Sequence, residues 1–217
     1  MPTQSSPWAS LRHGASRVLT AAALLAAAVN AGAAPAFVIS NTTGLGLANP
    51  PFTLGWQFTT TSRLVITSLG IFDDAQDGLA DRHAMGLWRA DGTLLASTIV
   101  AAGTADPLVN QFRYSDIVDV IIGPGTYRIG ALYETSNDAL IFPGDATGFA
   151  TAPEVSFDNS SFNDSAVLAD PTISGGADPG YFGPNFLFDV SEPPIGLLIA
   201  LALAGLGLMS RRRAERR

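Results

Sequence analysis

The sequence predicts an all-β fold: an antiparallel, jelly-roll-like β-sandwich flanked by an N-terminal signal peptide and a C-terminal transmembrane helix. Three observations carry that expectation. Short runs rich in Thr, Val, Ile and aromatic residues recur about every ten residues through the middle of the chain, separated by Gly, Pro, Asn and Asp. No window there sustains the apolar period of an amphipathic helix, which argues against alternating βαβ units and a parallel sheet. The long uncharged stretches lie instead at the two ends, around residues 18 to 29 and 195 to 209.

Taken in order, the chain divides into residues 1 to 36, 37 to 190 and 191 to 217. In the first segment Arg12 and Arg17 precede the apolar stretch Val18 to Val29, and small residues follow. That is the layout of a secretory leader with a short hydrophobic region and an Ala-x-Ala type site, placing cleavage between Ala33 and Ala36. In the second segment "TLGWQFTTTSRLVITSLGIF" gives strands at 53 to 60 and 63 to 72. "HAMGLWRADGTLLASTIVA" reads as a hairpin, because Asp91-Gly92 supplies the positive φ angles of a tight turn. Further strands are expected at 109 to 114, 117 to 122 and 126 to 133, the last two linked by Gly123-Pro124-Gly125, with a closing strand at 185 to 190. Residues 143 to 184 are richer in Gly, Pro, Asn, Asp and Ser, and read as a long, partly structured loop packed by Phe149, Phe157 and Phe162.

Composition excludes several kinds of chemistry. All 12 basic residues are arginine, so the chain has no lysine for a phosphate-binding Walker loop or a Schiff base. Only Arg63, Arg82, Arg89, Arg113 and Arg128 lie between residues 36 and 190, against seventeen carboxylates, a balance of −12. Such a surface repels phosphate backbones, which removes nucleic acid as a partner. With 0 cysteines there is no disulfide, thiolate nucleophile or Cys-ligated zinc. The domain must therefore be held by its packed core.

The C-terminal stretch from Ile195 to Met209 is uncharged over fifteen residues. As a helix it would span roughly 22 Å at about 1.5 Å per residue, enough for a thin bilayer when flanking arginines snorkel. Arg211, Arg212 and Arg213 favour the cytoplasmic side and leave the preceding residues outside. A Glu-Pro pair at Glu192, Pro193 and Pro194, a short Leu/Ala/Gly helix and a terminal arginine cluster together resemble the PEP-CTERM sorting signal of Gram-negative bacteria. Ser191 stands where that motif has its first proline. The resemblance covers residues 191 to 217. It implies recognition by an exosortase, a membrane-embedded cysteine transpeptidase, cleavage near the motif, and delivery to the cell surface or an exopolysaccharide matrix. Gly86-Leu87-Trp88, Gly92-Thr93-Leu94-Leu95-Ala96-Ser97, Gly123-Pro124-Gly125-Thr126-Tyr127 and "GYFGPNFLF" are similar to ectodomains often found on PEP-CTERM proteins, and imply a β-sandwich without implying an activity.

The one dense polar cluster is "FDDAQDGLADRH", residues 72 to 83. Asp73, Asp74, Asp77 and Asp81 are spaced so that they either wrap a Ca2+ ion, which takes oxygen ligands, or form a solvated connection between strands with an Arg82 ion pair. It is not an EF-hand, because Ala75 and Ala84 occupy ligand positions. His83 is the only histidine beyond the leader, too few for a multi-histidine metal site and without a Gly-x-Ser-x-Gly nucleophile nearby, so a structural role is expected. Trp56 and Trp88 have apolar neighbours and are expected in the core, the alternative being platforms that stack on sugar rings. Glu134 and Glu154 are the glutamates before the tail, and nothing pairs them as glycosidase carboxylates.

Three functions fit these features. The leading expectation is an exported, non-enzymatic surface or matrix protein sorted by an exosortase. The others are a carbohydrate-binding module for exopolysaccharide, assisted by Ca2+, and a glycan hydrolase. No catalytic residues are marked.

Overall fold

The computed structural model describes residues 33–39, 41–42, 45–47, 51–142 and 146–190. The expected leader up to Gly32 and the expected tail, with Glu192, Pro193, Pro194, Arg211, Arg212 and Arg213, lie outside the described residues. Among those described, no helix is long and apolar enough to cross a membrane.

All regular structure in the described residues is β. In chain order the strands are β1 (Ala34–Pro35), β2 (Phe37–Val38), β3 (Asn41–Thr42), β4 (Leu45–Leu47), β5 (Phe52–Thr60) and β6 (Leu64–Phe72). There follow β7 (His83–Arg89), β8 (Leu94–Val100), β9 (Leu108–Val109), β10 (Phe112–Ile122), β11 (Gly125–Tyr133) and β12 (Ala139–Ile141). The last are β13 (Ala146–Thr147), β14 (Ala150–Thr151), β15 (Val155–Asn163), β16 (Ile173–Gly176) and β17 (Pro184–Val190). A five-stranded sheet has the order β1-β17-β6-β10-β9, and a six-stranded sheet the order β16-β15-β5-β11-β7-β8. Three two-stranded pairings, β12-β4, β13-β3 and β14-β2, complete the arrangement. Every pairing within the two large sheets is antiparallel.

The two large sheets share one core because side chains alternate along each strand. On β5, Leu54, Trp56 and Phe58 point inward; on β17, Phe186 and Phe188 do. The Trp56 indole stacks on Phe186 with centroids 5.9 Å apart and an interplanar angle of 13°. Its Nε1 donates to the Pro184 carbonyl at 2.9 Å, so one side chain of the six-stranded sheet is bonded to the backbone of the other. Phe37 sits among the rings of Trp56, Phe112, Phe149 and Phe182, at 5.3, 5.3, 5.4 and 4.6 Å. A residue of the two-residue strand β2 thus fills the space between the layers.

Trp56 and Trp88 are both buried, as the sequence led us to expect, but on different faces. Trp88 alternates away from Met85 and Leu87 and lies over Gly86, where any side chain would overlap the indole. Residues 164 to 172 run across this outer face. Ala169 N–H donates to Thr53 Oγ1 at 3.1 Å, and Asp170 receives Arg128 through two bonds, Nε at 2.6 Å and Nη2 at 2.5 Å.

Several elements differ from the sequence expectation. The strands read at 109 to 114 and 117 to 122 are largely one strand, β10, whose register on β6 shifts between Asp116 and Val120. That bulge breaks the polar and apolar alternation, which is why the sequence reads as two pieces. The stretch from 143 to 184, read as a loop, contains nine-residue β15, paired with β5 inside the six-stranded sheet. Asp158, Asn159, Ser160 and Ser161 hide it, since they carry none of the usual strand signature. Phe149, Phe157 and Phe162 do pack against the core as expected. The Asp91-Gly92 hairpin is present, with Gly92 at φ 88°, Gly92 N–H donating to Arg89 O and Arg89 N–H to Thr93 O, both at 2.9 Å. It is a three-residue loop closed by a glycine bulge rather than a two-residue turn.

Truncating Phe37 to alanine should cost about 3 to 5 kcal/mol of unfolding free energy, because the surrounding rings belong to both sheets and cannot all close the cavity. Urea unfolding of Phe37→Ala against the parent measures it. In protein carrying Trp8→Phe, emission from Trp56 and Trp88 should be blue-shifted and resist iodide; strong quenching would contradict their burial.

Candidate functional site: an acidic loop anchored from below

The loop between β6 and β7 is shaped by its own composition. Asp73 closes β6 with its N–H donating to Gln111 O at 2.8 Å, and Gln76 and Gly78 take positive φ angles of 60° and 117°. Gly78 is held against the Gly103 backbone, and Leu79 exchanges two backbone bonds with Gly103 at 3.2 and 2.7 Å. A left-handed residue packed against another backbone is a place where glycine fits and a side chain does not.

Asp73 is 3% exposed, at the floor of the loop. Its Oδ2 accepts from Arg113 Nε at 2.7 Å and from Gly78 N–H at 3.1 Å. Arg113 also donates through Nη1 to Asp106 O at 3.1 Å and through Nη2 to Gln76 O at 3.3 Å. A buried charge pair is tolerated when the remaining donors are satisfied in this way. One guanidinium on β10 therefore ties the Asp73 loop to the loop leading into β9.

A second anchor lies at the other end of the loop. Asp138 Oδ1 accepts from Ala80 N–H at 2.7 Å, and its Oδ2 from Asp81 N–H at 2.8 Å and from His83 Nε2 at 3.0 Å. His83, 2% exposed, places its other nitrogen 3.0 Å from the Leu132 carbonyl. Both ring nitrogens thus face oxygens of the protein itself, and the ring is buried away from solvent. Burial raises the Asp138 carboxyl, but the His83 bond and the Ala80 and Asp81 N–H bonds outweigh it and hold the carboxyl below its ordinary 3.8. The Tyr133 ring lies 4.8 Å from His83, and burial pushes its hydroxyl well above the ordinary range.

The four aspartates singled out from the sequence thus meet different fates. Asp73 is buried against Arg113. Asp81 accepts from Thr135 Oγ1 and, at 2.9 Å, from Asn137 Nδ2. Asp74 and Asp77 are exposed, on a cleft of about 420 Å³ that Asp73, Asn137, Asp138 and Leu47 also line. Among the described residues no group of three or more His, Asp or Glu side chains is gathered where it could hold a metal ion. Glu134 is exposed and Glu154 half-buried.

Sequence spacing missed Arg113 and Asp138, the residues that organise the loop. They come from 40 and 55 positions away from the groups they bind. One signal was available for Arg113: an arginine flanked by Phe112 and Tyr114 in a strand of an acidic domain needs a buried carboxylate. Asp138 sits in the polar stretch "ETSND", which reads as an ordinary turn.

Comparison of the chain with protein-family models, with curated proteins and with solved structures finds no match.

Removing the guanidinium strands a buried carboxylate, so Arg113→Ala should lose about 3 to 5 kcal/mol in denaturant unfolding, whereas Asp74→Ala and Asp77→Ala should stay within about 0.5 kcal/mol of the parent. Because Asp138 sits below its ordinary value when folded, its contribution is present above pH 3.8 and is lost as pH falls through the folded value. Asp138→Asn should therefore flatten the acid limb of a thermal-melting profile.

Proposed function

We propose that this is an exported, non-enzymatic cell-surface or exopolysaccharide-matrix protein of a Gram-negative bacterium, sorted through its C-terminal tail by an exosortase. The observation that carries the reading is the way domain and tail abut. The last strand ends at Val190, and the Ser191-Glu192-Pro193-Pro194 stretch, the uncharged run and the arginine cluster follow at once. A processing enzyme cutting near Pro194 would leave every strand of the two sheets intact.

The domain itself is read as a jelly-roll-like β-sandwich. Strand order supports this: β1, β6, β10 and β17 form one layer, with the two-residue β9 at its edge, and β5, β7, β8 and β11 belong to the other, so the chain passes between layers as two Greek keys folded together do. β15 and β16 extend the second layer beyond that pattern. The buried carboxylates and the imidazole of the polar cluster are bonded within the protein, where they hold loops in place.

Mass spectrometry of the protein recovered from the surface or matrix of the producing cell tests the reading. The mature chain should end at or just before Pro194. An intact hydrophobic tail on all of the surface-exposed protein would remove the sorting step. Release of reducing ends from exopolysaccharide by the purified protein would remove the non-enzymatic reading.

A further inference from the structure

Two Ala-x-Ala steps overlap the start of the domain, Ala31-Gly32-Ala33 and Ala34-Pro35-Ala36, and each fits the pattern at which an export leader is removed. The products differ sharply once the fold is considered. Ala34 and Pro35 form β1 and pair with Phe188 and Leu187 of β17. Ala36 is fully buried, its N–H donates to Phe186 O and its carbonyl accepts from Ala152 N–H, both at 2.9 Å.

We infer that leader removal hydrolyses the Ala33–Ala34 bond, so that Ala34 is the first residue of the exported protein. This rests on the export reading above. Water adds across the amide: Ala33 leaves with the leader as a carboxylate, and Ala34 keeps the nitrogen as an ammonium. Ala34 is exposed, so the new charge lies in solvent and every bond made by residues 34 to 36 is kept.

The alternative cut, after Ala36, yields a product that folds badly for three reasons. It strips β1 from β17, opening a sheet edge beside Leu187 and Phe188. It deletes the two backbone bonds of Ala36. It also places an ammonium on Phe37, a residue 1% exposed whose ring lies against Trp56, Phe112 and Phe182. Burying an unpaired ammonium is among the most costly changes available to a protein interior. Pro35 fits the first cut equally well: it lies in an edge strand, where a missing N–H is tolerated.

The test is N-terminal sequencing and intact-mass measurement of the exported protein, produced from the full chain in a Gram-negative host. Ala34 as first residue supports the inference; Phe37, or any other start within the chain, overturns it while leaving export standing. Retention of residues 1 to 33 on all of the protein brings down the export reading instead. Two variants guard against misreading a folding defect as a processing defect. Ala33→Leu should abolish the Ala34 start. Ala36→Leu should retain it and lower the melting temperature, and the opposite pattern overturns the inference.

Discussion

The contact between the Trp56 indole and β17 is the constraint on which the rest of the structure depends. An antiparallel sheet buries one face only if another layer covers it, and this chain has no cysteine to join the layers covalently. Trp56 meets that need twice, by stacking on Phe186 and by bonding to the Pro184 carbonyl. Phe37, Phe58, Phe182 and Phe112 then pack edge-on or tilted around the same centre. The result is a core dominated by rings, in which each lost ring leaves a space that several neighbours from different strands must share.

Charge follows the opposite logic. The domain carries far more carboxylates than arginines, so each arginine is scarce. Two of them are used in similar ways: Arg113 holds Asp73 under the first loop, and Arg128 holds Asp170 on the outer face of the six-stranded sheet. In each case a strand supplies the cation and a loop supplies the anion, so an irregular segment is fixed to a regular one. His83 with Asp138 repeats the scheme, a strand imidazole meeting a loop carboxylate. The acidic surplus stays on the surface, at residues such as Asp74, Asp77 and Glu134.

How much of this could be read from the chain depends on distance along it. Strands β5, β6, β7, β8 and β11 were legible because their apolar and β-branched residues alternate locally and turns flank them. β15 was not, since its Asp158 is bonded to Thr59 and its Ser160 to the Asp178 and Gly180 carbonyls, partners distant in sequence or in an irregular loop. The polar loop was recognised as the most charged feature of the domain, but its chemistry was set by Arg113 and Asp138, which only the fold brings near. A carboxylate-rich stretch looks the same whether its oxygens are vacant or already engaged. The difference lies in what stands behind it.

The pairing of Ala34 with Phe188 places the two ends of the domain side by side on neighbouring strands. Such an arrangement has a mechanical consequence. Tension drawn between the ends first peels β1 from β17 one rung at a time, as a zipper opens, and then meets Phe37, locked among Trp56, Phe112 and Phe182. A load borne on the C-terminal end alone instead enters at β17, which is bonded to β6 on its far side along most of its length. The short seam at β1 therefore yields before the core under traction across the two ends, while a pull on one end is shared with β6.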